Sequence, residues 1–383
     1  MGLSPKERIL ATVDGRAADY TPCTTFLFTE LQGRCASPEA YYLQLLEMGL
    51  DPIVALPDPV WRFHPDVTEE VRRERTAGRD LLHKVYRTPA GDLTTTVEVT
   101  DDWPHGDRVP LMSDFVIPRA TKPLVTSPAD LEPLSWLLRA PDAAAVETFR
   151  AEASRMQRFA DEHRLPTRGA FNRLSDMICW LSGCEAFSTW GVTEPALFQA
   201  LIDLVAAWQE RLIEVFLDVR PDILVDAQWY ATTFLSPRLY EQFLSPALAR
   251  RAAMAHAAGA RFCALATTTV TPFFGLLKRI GVDMLFGVDP VQGAWDLRRT
   301  KAELGDTVCL CGGVNAYLTV VDGTPGAVRR EVESSMAALS PGGRFILSPV
   351  DNIRIDDPAG GDAAWRRVQE NVRAMVQAWK RLR

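Results

Sequence analysis

Hydrophobic and polar positions repeat in blocks along the second half of the chain. Each block contains a helical stretch, a glycine, a short apolar run and a polar turn, as in LLKRIGVDMLFGVDP, KAELGDTVCLCGGVN and MAALSPGGRFILSPVDN. We expect Gly281, Gly305 and the pair Gly342 and Gly343 to end these helices in a left-handed conformation. The strand-sized apolar runs recur about every 25 to 36 residues, which is the period of βαβ units.

Similar units precede these blocks. A strand ending at Asp226 is predicted in RPDILVDAQWY, and an earlier strand and turn in PTRGAFNRLSD. A long amphipathic helix capped by Thr193 lies between them, and Ser236 with Pro237 predicts the start of another helix. The repetition favours an α/β fold of the closed (β/α)8 TIM-barrel type over an open sheet. No Gly-x-Gly-x-x-Gly motif follows a strand, so a dinucleotide-binding fold lacks its main signal.

Residues 57–125 interrupt this rhythm. Alternating threonine and valine positions in DLLHKVYRTPAGDLTTTVEVTDDWP predict an antiparallel hairpin about a Pro-Ala-Gly-Asp turn. No Gly/Ser linker flanks the segment. We therefore interpret residues 1–383 as a single barrel domain that carries residues 57–125 as a β-hairpin-containing insertion.

Charge and cysteine content narrow the range of partners and compartments. The net charge is −7 and basic residues form no stripe, which argues against a nucleic-acid partner. The seven cysteines are scattered without Cys-x-x-Cys spacing, as is usual for reduced cytosolic thiols. The N-terminus has no apolar core of signal-peptide length, and no later run suits a membrane span. We expect a soluble cytoplasmic protein with no membrane partner.

Several stretches resemble the uroporphyrinogen decarboxylase superfamily, which includes corrinoid-linked methyltransferases. They are SPKERILATVDGRAADYTP, YRTPAGDLTTTVEVTDDWP, SPRLYEQFLSPAL, GVDMLFGVDPVQG, CLCGGVNAYLTV and FILSPVDNIR. The resemblance extends over nearly the whole chain and implies a TIM barrel with its site at the carboxyl ends of the strands. Members of the family often pair, so it also allows a homodimer.

The chain departs from two branches of that family. In the thiol-methylating branch, a His-x-Cys pair after the fifth strand and a cysteine after the eighth hold zinc, but Leu265 and Thr267 stand in place of the pair. The final turn, SPVDNIR, has no cysteine, so we expect no zinc site. True decarboxylases carry an arginine-rich N-terminal segment that grips tetrapyrrole carboxylates, whereas here only Arg34 lies near PCTTFLFTELQGRCAS. A porphyrinogen substrate is therefore disfavoured.

The predicted strand ends supply carboxylates, amides, hydroxyls and aromatic rings. Asp226 and Asp351 are candidate general acids or bases, and Tyr230 is a candidate proton donor. Because such groups orient a polar or aromatic substrate, we expect substrate binding by a wider set. That set contains Asn172, Arg173, Gln228, Trp229, Thr267, Thr268, Thr269, Asp289, Asn315 and Asn352. For the three threonines and for Asp289, a purely structural role in a strand-end turn is an equal alternative.

Three functions remain open at this stage. The leading hypothesis is an enzyme that moves a methyl group between a small substrate and a corrinoid (cobalamin) cofactor or corrinoid protein, with an acidic residue protonating the leaving oxygen. The second is a cofactor-free lyase that decarboxylates a small aromatic or heterocyclic acid, with Arg173 or Arg354 pairing the carboxylate. The third is a non-catalytic binding barrel. A hard metal ion held by carboxylate and amide oxygens is compatible with each.

Overall fold

Two separate β-sheets and a set of helices make up the fold in this computed structural model. The structure describes residues 2–76, 78–172, 174–228, 231–266, 270–293, 295–356 and 361–383, with 170–172 described by their backbone. In chain order the strands are β1 Val54–Ala55, β2 Thr68–Thr76, β3 Arg79–Thr88, β4 Gly91–Glu98, β5 Ala120–Lys122, β6 Thr167–Asn172, β7 Ile223–Ala227, β8 Arg261–Leu265, β9 Met284–Val288, β10 Cys309–Asn315 and β11 Phe345–Val350.

The helices mostly follow or precede the strands of the larger sheet. They are α1 Pro5–Val13, α2 Thr29–Gln32, α3 Pro38–Met48, α4 Leu131–Leu137, α5 Ala143–Glu162, α6 Leu174–Thr193, α7 Pro195–Leu217, α8 Ala231–Phe234, α9 Pro237–Leu239, α10 Ser245–Ala257, α11 Phe274–Ile280, α12 Leu297–Leu304, α13 Pro325–Leu339 and α14 Gly361–Leu382. No helix in the described part of the chain is both long and apolar enough to cross a membrane.

The larger sheet is parallel and follows the chain in the order β1-β6-β7-β8-β9-β10-β11. From β6 to β11, consecutive strands are neighbours because each is joined to the next by helical segments, as the repeating blocks predicted. An extended segment near the N-terminus adds to both edges of this sheet. Thr24 N–H donates to Leu347 O on β11 at 2.9 Å, and Asp51 N–H, just before β1, donates to Cys23 O at 2.8 Å.

The sequence predicts a (β/α)8 barrel, and the structure shows an α/β fold with a seven-stranded parallel sheet. Both faces of this sheet are buried. Alternate residues such as Val225, Cys263, Phe286 and Cys311 form one apolar cluster with Phe26, while the intervening residues pack against the helices. Such complete burial explains why these strands read as continuous apolar runs rather than as alternating ones.

The second sheet is antiparallel, with the order β2-β3-β4-β5, and lies within the predicted insertion. Strands β3 and β4 form the predicted hairpin, with Thr88 paired to Gly91 at its turn. One face covers a small core of its own, which contains Leu82, Val97 and Trp103. The sequence predicted the hairpin but not β2 and β5, because β2 is exposed along most of its length and β5 has three residues.

Three predicted helix boundaries differ from the structure. Helix α13 ends at Leu339 with Ser340 at its C-cap, so the left-handed Gly342 and Gly343 lie beyond the helix end. Helix α7 begins at Pro195 with Glu194 at its N-cap, and Thr193 is the last residue of α6 instead. Gly305 ends α12 in a right-handed conformation with φ −69°, so the predicted left-handed cap is wrong there. By contrast, Gly281 ends α11 at φ 90°, and the Ser236 side chain caps α9 as expected. Ser and Thr also bond within helices, so a cap position is easily misread by a residue or two.

Candidate active site at the carboxyl ends of the parallel strands

A cluster of acidic and amide side chains lies where β9 and β10 end. Asp289 is 2% exposed, and its carboxylate accepts hydrogen bonds from the backbone N–H groups of Val291 at 2.8 Å and Gln292 at 3.2 Å. Asn315 Nδ2 donates to Asp289 Oδ2 at 2.7 Å and to Gln292 Oε1 at 2.8 Å. Asn315 Oδ1 accepts the N–H of Leu318 at 2.6 Å. The Asn315 amide is thus engaged within the chain and holds the Asp289 carboxylate in place.

Two further carboxylates lie close to this cluster. Glu331 on α13 accepts the backbone N–H of Asn315 at 3.0 Å, and burial together with the charge of Asp289 raises its pKa. Asp351 follows β11 in a left-handed conformation with φ 70°. Burial raises the pKa of Asp351, and the negative charge of Asp289 adds to that shift. A carboxyl group with a raised pKa retains its proton closer to neutral pH and can therefore donate it.

Asn352 connects the end of β11 to the N-terminal part of the chain. Its Oδ1 accepts hydrogen bonds from the N–H of Thr29 at 3.1 Å and from the Thr29 hydroxyl at 3.0 Å. The backbone of Asn352 also forms a parallel bridge with Leu27. These contacts fix the turn that contains Asp351 against Leu27 and the first residue of α2.

Asp226, at the end of β7, is completely buried in an ion pair. Its Oδ2 accepts a hydrogen bond from Arg251 Nη1 at 2.7 Å, both side chains are 0% exposed, and Gln228 Nε2 donates to its other oxygen. Arg251 Nη2 also donates to Gln209 Oε1 at 2.7 Å. Burial raises the pKa of Asp226 while Arg251 opposes that shift. The two partners hold the Asp226 carboxylate in place, and its proton-transfer role stays a prediction.

Several predicted site residues lie outside the described residues. They are Arg173, Trp229, Tyr230, Thr267, Thr268 and Thr269. Asn172 is described by its backbone, which pairs with that of Asp226. Arg354, the alternative carboxylate partner, has a side chain 58% exposed and is paired with Asp356 at 2.5 Å.

Two cavities lie beside the carboxyl end of β1. The first, here called the aromatic cleft, has a volume of about 500 Å³ and is lined by Trp61, Phe115, Trp180 and Trp208 among others. Trp180 Nε1 donates to Asp114 Oδ1 at 3.0 Å, so that indole is fixed in the wall. Gln209, the partner of Arg251, also lines this cleft.

The second cavity, here called the Arg168 cavity, has a volume of about 290 Å³. It is lined by Arg168 of β6, by Phe26 and Tyr41, and by residues that directly follow β1. Asp58 lines both cavities. The two volumes suit small ligands.

The sequence interpretation did not identify Arg168, Arg251, Gln209 or Glu331. Arg168 had a signal, because a charged residue inside the apolar strand TRGAFN requires a partner or a ligand. The other three lie on helices, where a charged or amide residue has no distinguishing pattern. Among the residues that the structure describes, no group of three or more His, Cys, Asp or Glu side chains is arranged to hold a metal ion.

A family model described as uroporphyrinogen decarboxylase (URO-D) matches residues 112–381. The chain belongs to the uroporphyrinogen decarboxylase family. Its matched region begins in the insertion and includes β6 to β11, so the acidic cluster and Arg168 both lie within the family region. A search of curated protein sequences finds no match.

Comparison with solved structures finds the same fold at low sequence identity in a methyltransferase, and a weaker likeness in other proteins. A methyltransferase from Methanosarcina mazei is 16% identical, with 99% of each chain covered and a TM-score of 0.60. A B12-independent methionine synthase from Shewanella sp. W3-18-1 is 10% identical, with 94% of this chain and 98% of that chain covered and a TM-score of 0.47. A D-psicose 3-epimerase from Clostridium cellulolyticum H10 is 12% identical over 60% of this chain and 82% of its own, with a TM-score of 0.39.

Proposed function

We propose that this member of the uroporphyrinogen decarboxylase family is a methyltransferase-like enzyme that moves a methyl group between a small substrate and a corrinoid. The observation that carries the proposal is the cluster of Asp289, Asn315 and Asp351 at the carboxyl ends of β9 to β11. The matching fold of the Methanosarcina mazei methyltransferase over 99% of both chains supports it. Barrel-type α/β enzymes place their chemistry at this end of the strands.

In this proposal the acidic cluster manages a proton. Demethylation of an ether leaves an oxygen that must gain a proton, and Asp351 is the carboxyl group whose raised pKa suits that donation. Asp289 contributes by its negative charge, which favours the protonated form of Asp351. Asn315 keeps the Asp289 carboxylate oriented through its 2.7 Å hydrogen bond.

The cavity sizes indicate how a corrinoid would take part. At about 500 and 290 Å³, the two cavities suit a small substrate and not an entire corrinoid. We therefore propose that a separate corrinoid protein presents the cofactor at the carboxyl ends of the strands. The cofactor would supply the cobalt that accepts or donates the methyl group. The indole and phenyl walls of the aromatic cleft then bind the apolar part of the substrate by stacking and exclude water from it.

The direct test is a titration of the purified protein with cob(I)alamin and methylcobalamin, followed by the corrin absorbance, with aryl methyl ethers or methylamines as substrates. Methyl transfer should appear as conversion between the two corrin spectra that depends on the protein and the substrate. Asp351→Asn should slow that conversion by about 10²- to 10⁴-fold, the usual contribution of a general acid. The matched control is Asp306→Asn, because Asp306 is exposed and pairs with Lys278 at 3.1 Å; it should retain the rate. Absence of any protein-dependent methyl transfer would show that the proposed reaction is wrong.

A second candidate is a cofactor-free decarboxylase of a small aromatic or heterocyclic acid. The specific observation in its favour is the buried guanidinium of Arg168 in the wall of a cavity at the strand ends. A carboxylate substrate needs such a partner, and Arg354 is exposed and already paired. Release of CO₂ from small aromatic acids in the absence of corrinoid would favour this candidate over methyl transfer.

The non-catalytic alternative is less well supported. A barrel that only binds a ligand has no need for carboxyl groups with raised pKa values, whereas burial raises the pKa of both Asp351 and Glu331 here. Perturbed carboxyl groups gathered at one end of a sheet are typical of catalytic sites.

A further inference from the structure

Arg168 differs from the other buried arginines of the described chain. Arg8 is 4% exposed and pairs with Asp51 at 2.5 Å and with Asp19 at 2.7 Å. Arg251 is 0% exposed and pairs with Asp226 at 2.7 Å. Arg168 is 6% exposed, but within the described residues its side chain forms no ion pair. Of the three buried guanidinium groups in the described part of the chain, two are thus paired with carboxylates, and the third has no carboxylate partner among those residues.

The contacts that Arg168 does form leave part of its guanidinium available. Nη2 donates to the carbonyl oxygen of Phe26 at 2.7 Å, and the guanidinium carbon lies 4.2 Å from the centre of the Phe26 ring. Nε has no hydrogen-bond partner although it is buried. A ring contact and one carbonyl offset only part of the cost of burying a charge, and an unsatisfied N–H adds to that cost.

The Arg168 cavity gives this group an accessible space. Its volume of about 290 Å³ is at the small end for ligand sites, and the rings of Phe26 and Tyr41 contribute to its wall. One guanidinium beside aromatic walls matches an anion with a single charge and an apolar body.

We propose that the Arg168 cavity binds a small monocarboxylate with an aromatic or otherwise apolar body, the carboxylate pairing with the Arg168 guanidinium. Planar guanidinium groups bind carboxylates through two parallel N–H···O bonds, and the Arg168 side chain lies in the wall of the cavity. The inference rests on the proposed function only because it takes the carboxyl ends of the strands as the substrate site, and it adds the class of substrate.

Benzoate is a suitable probe, with benzamide as the uncharged ligand of the same shape. Calorimetric titration of the wild-type protein without corrinoid should show benzoate binding and much weaker benzamide binding. Arg168→Met keeps an unbranched side chain against Phe26 and removes the charge, so it should weaken benzoate binding about 10- to 100-fold. Arg34→Met is the matched control, since Arg34 is exposed and stacks on Trp365 at 4.7 Å; it should bind benzoate as the wild type does.

Thermal unfolding gives a second measurement that a purely structural arginine would not reproduce. Benzoate should raise the melting temperature of the wild type with increasing concentration and leave that of Arg168→Met unchanged, since only a ligand bound to the folded state stabilises it. Without ligand, Arg168→Met should be at least as stable as the wild type, because it removes an uncompensated buried charge. A variant that is strongly destabilised, together with a wild type that ignores benzoate, would overturn the proposal.

Three further outcomes distinguish the proposed carboxylate site from a general anion site and separate it from the proposed reaction. Equal protection by inorganic phosphate and by benzoate would indicate a general anion site and refute the carboxylate class. Benzoate binding without methyl transfer to or from cobalamin would leave the inference intact and count against the proposed reaction alone. Methyl transfer that is unaffected by Arg168→Met, in a protein that does not bind benzoate, would leave the reaction intact and refute the inference.

Discussion

The buried ion pair between Asp226 and Arg251 allows a quantitative test of how the end of β7 is stabilised. Both side chains are 0% exposed and the shorter N–O distance is 2.7 Å. Replacing Arg251 by Met leaves the Asp226 carboxylate buried, with Gln228 as its remaining partner among the described residues. Breaking a buried pair from one side costs about 3–5 kcal/mol of unfolding free energy. That is a large fraction of the about 5–15 kcal/mol by which most domains are stable.

The cost should depend on pH with a definite sign. Burial already raises the pKa of Asp226, and the loss of Arg251 removes the charge that opposes this shift. A carboxyl group with a raised pKa in the folded state contributes stability below its unfolded pKa of about 3.9, and loses that contribution as pH rises through the folded value. The deficit of Arg251→Met relative to the wild type should therefore be larger at pH 8 than at pH 5.

Urea unfolding, followed by both tryptophan fluorescence and circular dichroism, measures these differences. Arg250→Met is the matched control, because Arg250 is exposed and pairs with Glu210 at 3.0 Å on the surface; it should cost less than about 1 kcal/mol. The double variant Asp226→Asn with Arg251→Met removes both charges and should recover part of the loss. The reasoning would be refuted if Arg251→Met and Arg250→Met had equal cost, or if the cost of Arg251→Met did not change with pH.

Three further predictions concern other parts of the fold. The unfolding free energy of Asp351→Asn in urea should increase relative to that of the wild type as pH rises from 4 to 7. The raised pKa of Asp351 makes its contribution to the stability of the wild type fall over that range; a difference that stays constant with pH would contradict this. Gly287→Ala should lose several kcal/mol or fail to fold, since its Cβ would lie 1.7 Å from the carbonyl oxygen of Ala266. Gly259→Ala, also at positive φ but with open space, should cost only about 1–2 kcal/mol; equal losses would refute the steric explanation. In the native protein Ellman's reagent should label Cys35 and Cys184 at most, because the other five cysteines are buried; rapid labelling of more than two would contradict that burial.

Much of the sheet and its helices follows from local sequence. Strand β11 and helix α11 were predicted because an apolar run, a left-handed glycine and a polar turn each act within a few residues. The hairpin of β3 and β4 follows for the same reason, since its turn is four residues long. The order of the strands also follows, because short connections make neighbours of consecutive strands.

The partners within the site were decided by the tertiary structure. Asp226 and Arg251 are 25 residues apart in the chain, and Asp289 and Asn315 are 26 residues apart, yet each pair is in hydrogen-bond contact. Sequence placed Asp226, Asp289, Asn315 and Asp351 at strand ends because that position depends on local pattern. The sequence could not show which side chains pair with each other, because the partner of a buried charge lies on whichever element packs against it.

Arg168 shows the same division between sequence and structure. An arginine inside an apolar strand is visible in the sequence alone, and it predicts a group that needs compensation. Only the packed structure shows that Phe26 contributes a ring and a carbonyl oxygen, that no carboxylate of the described residues forms an ion pair with Arg168, and that Arg168 lines a cavity. The physical reason is that secondary structure depends on neighbours along the chain, whereas desolvation and charge compensation depend on neighbours in space.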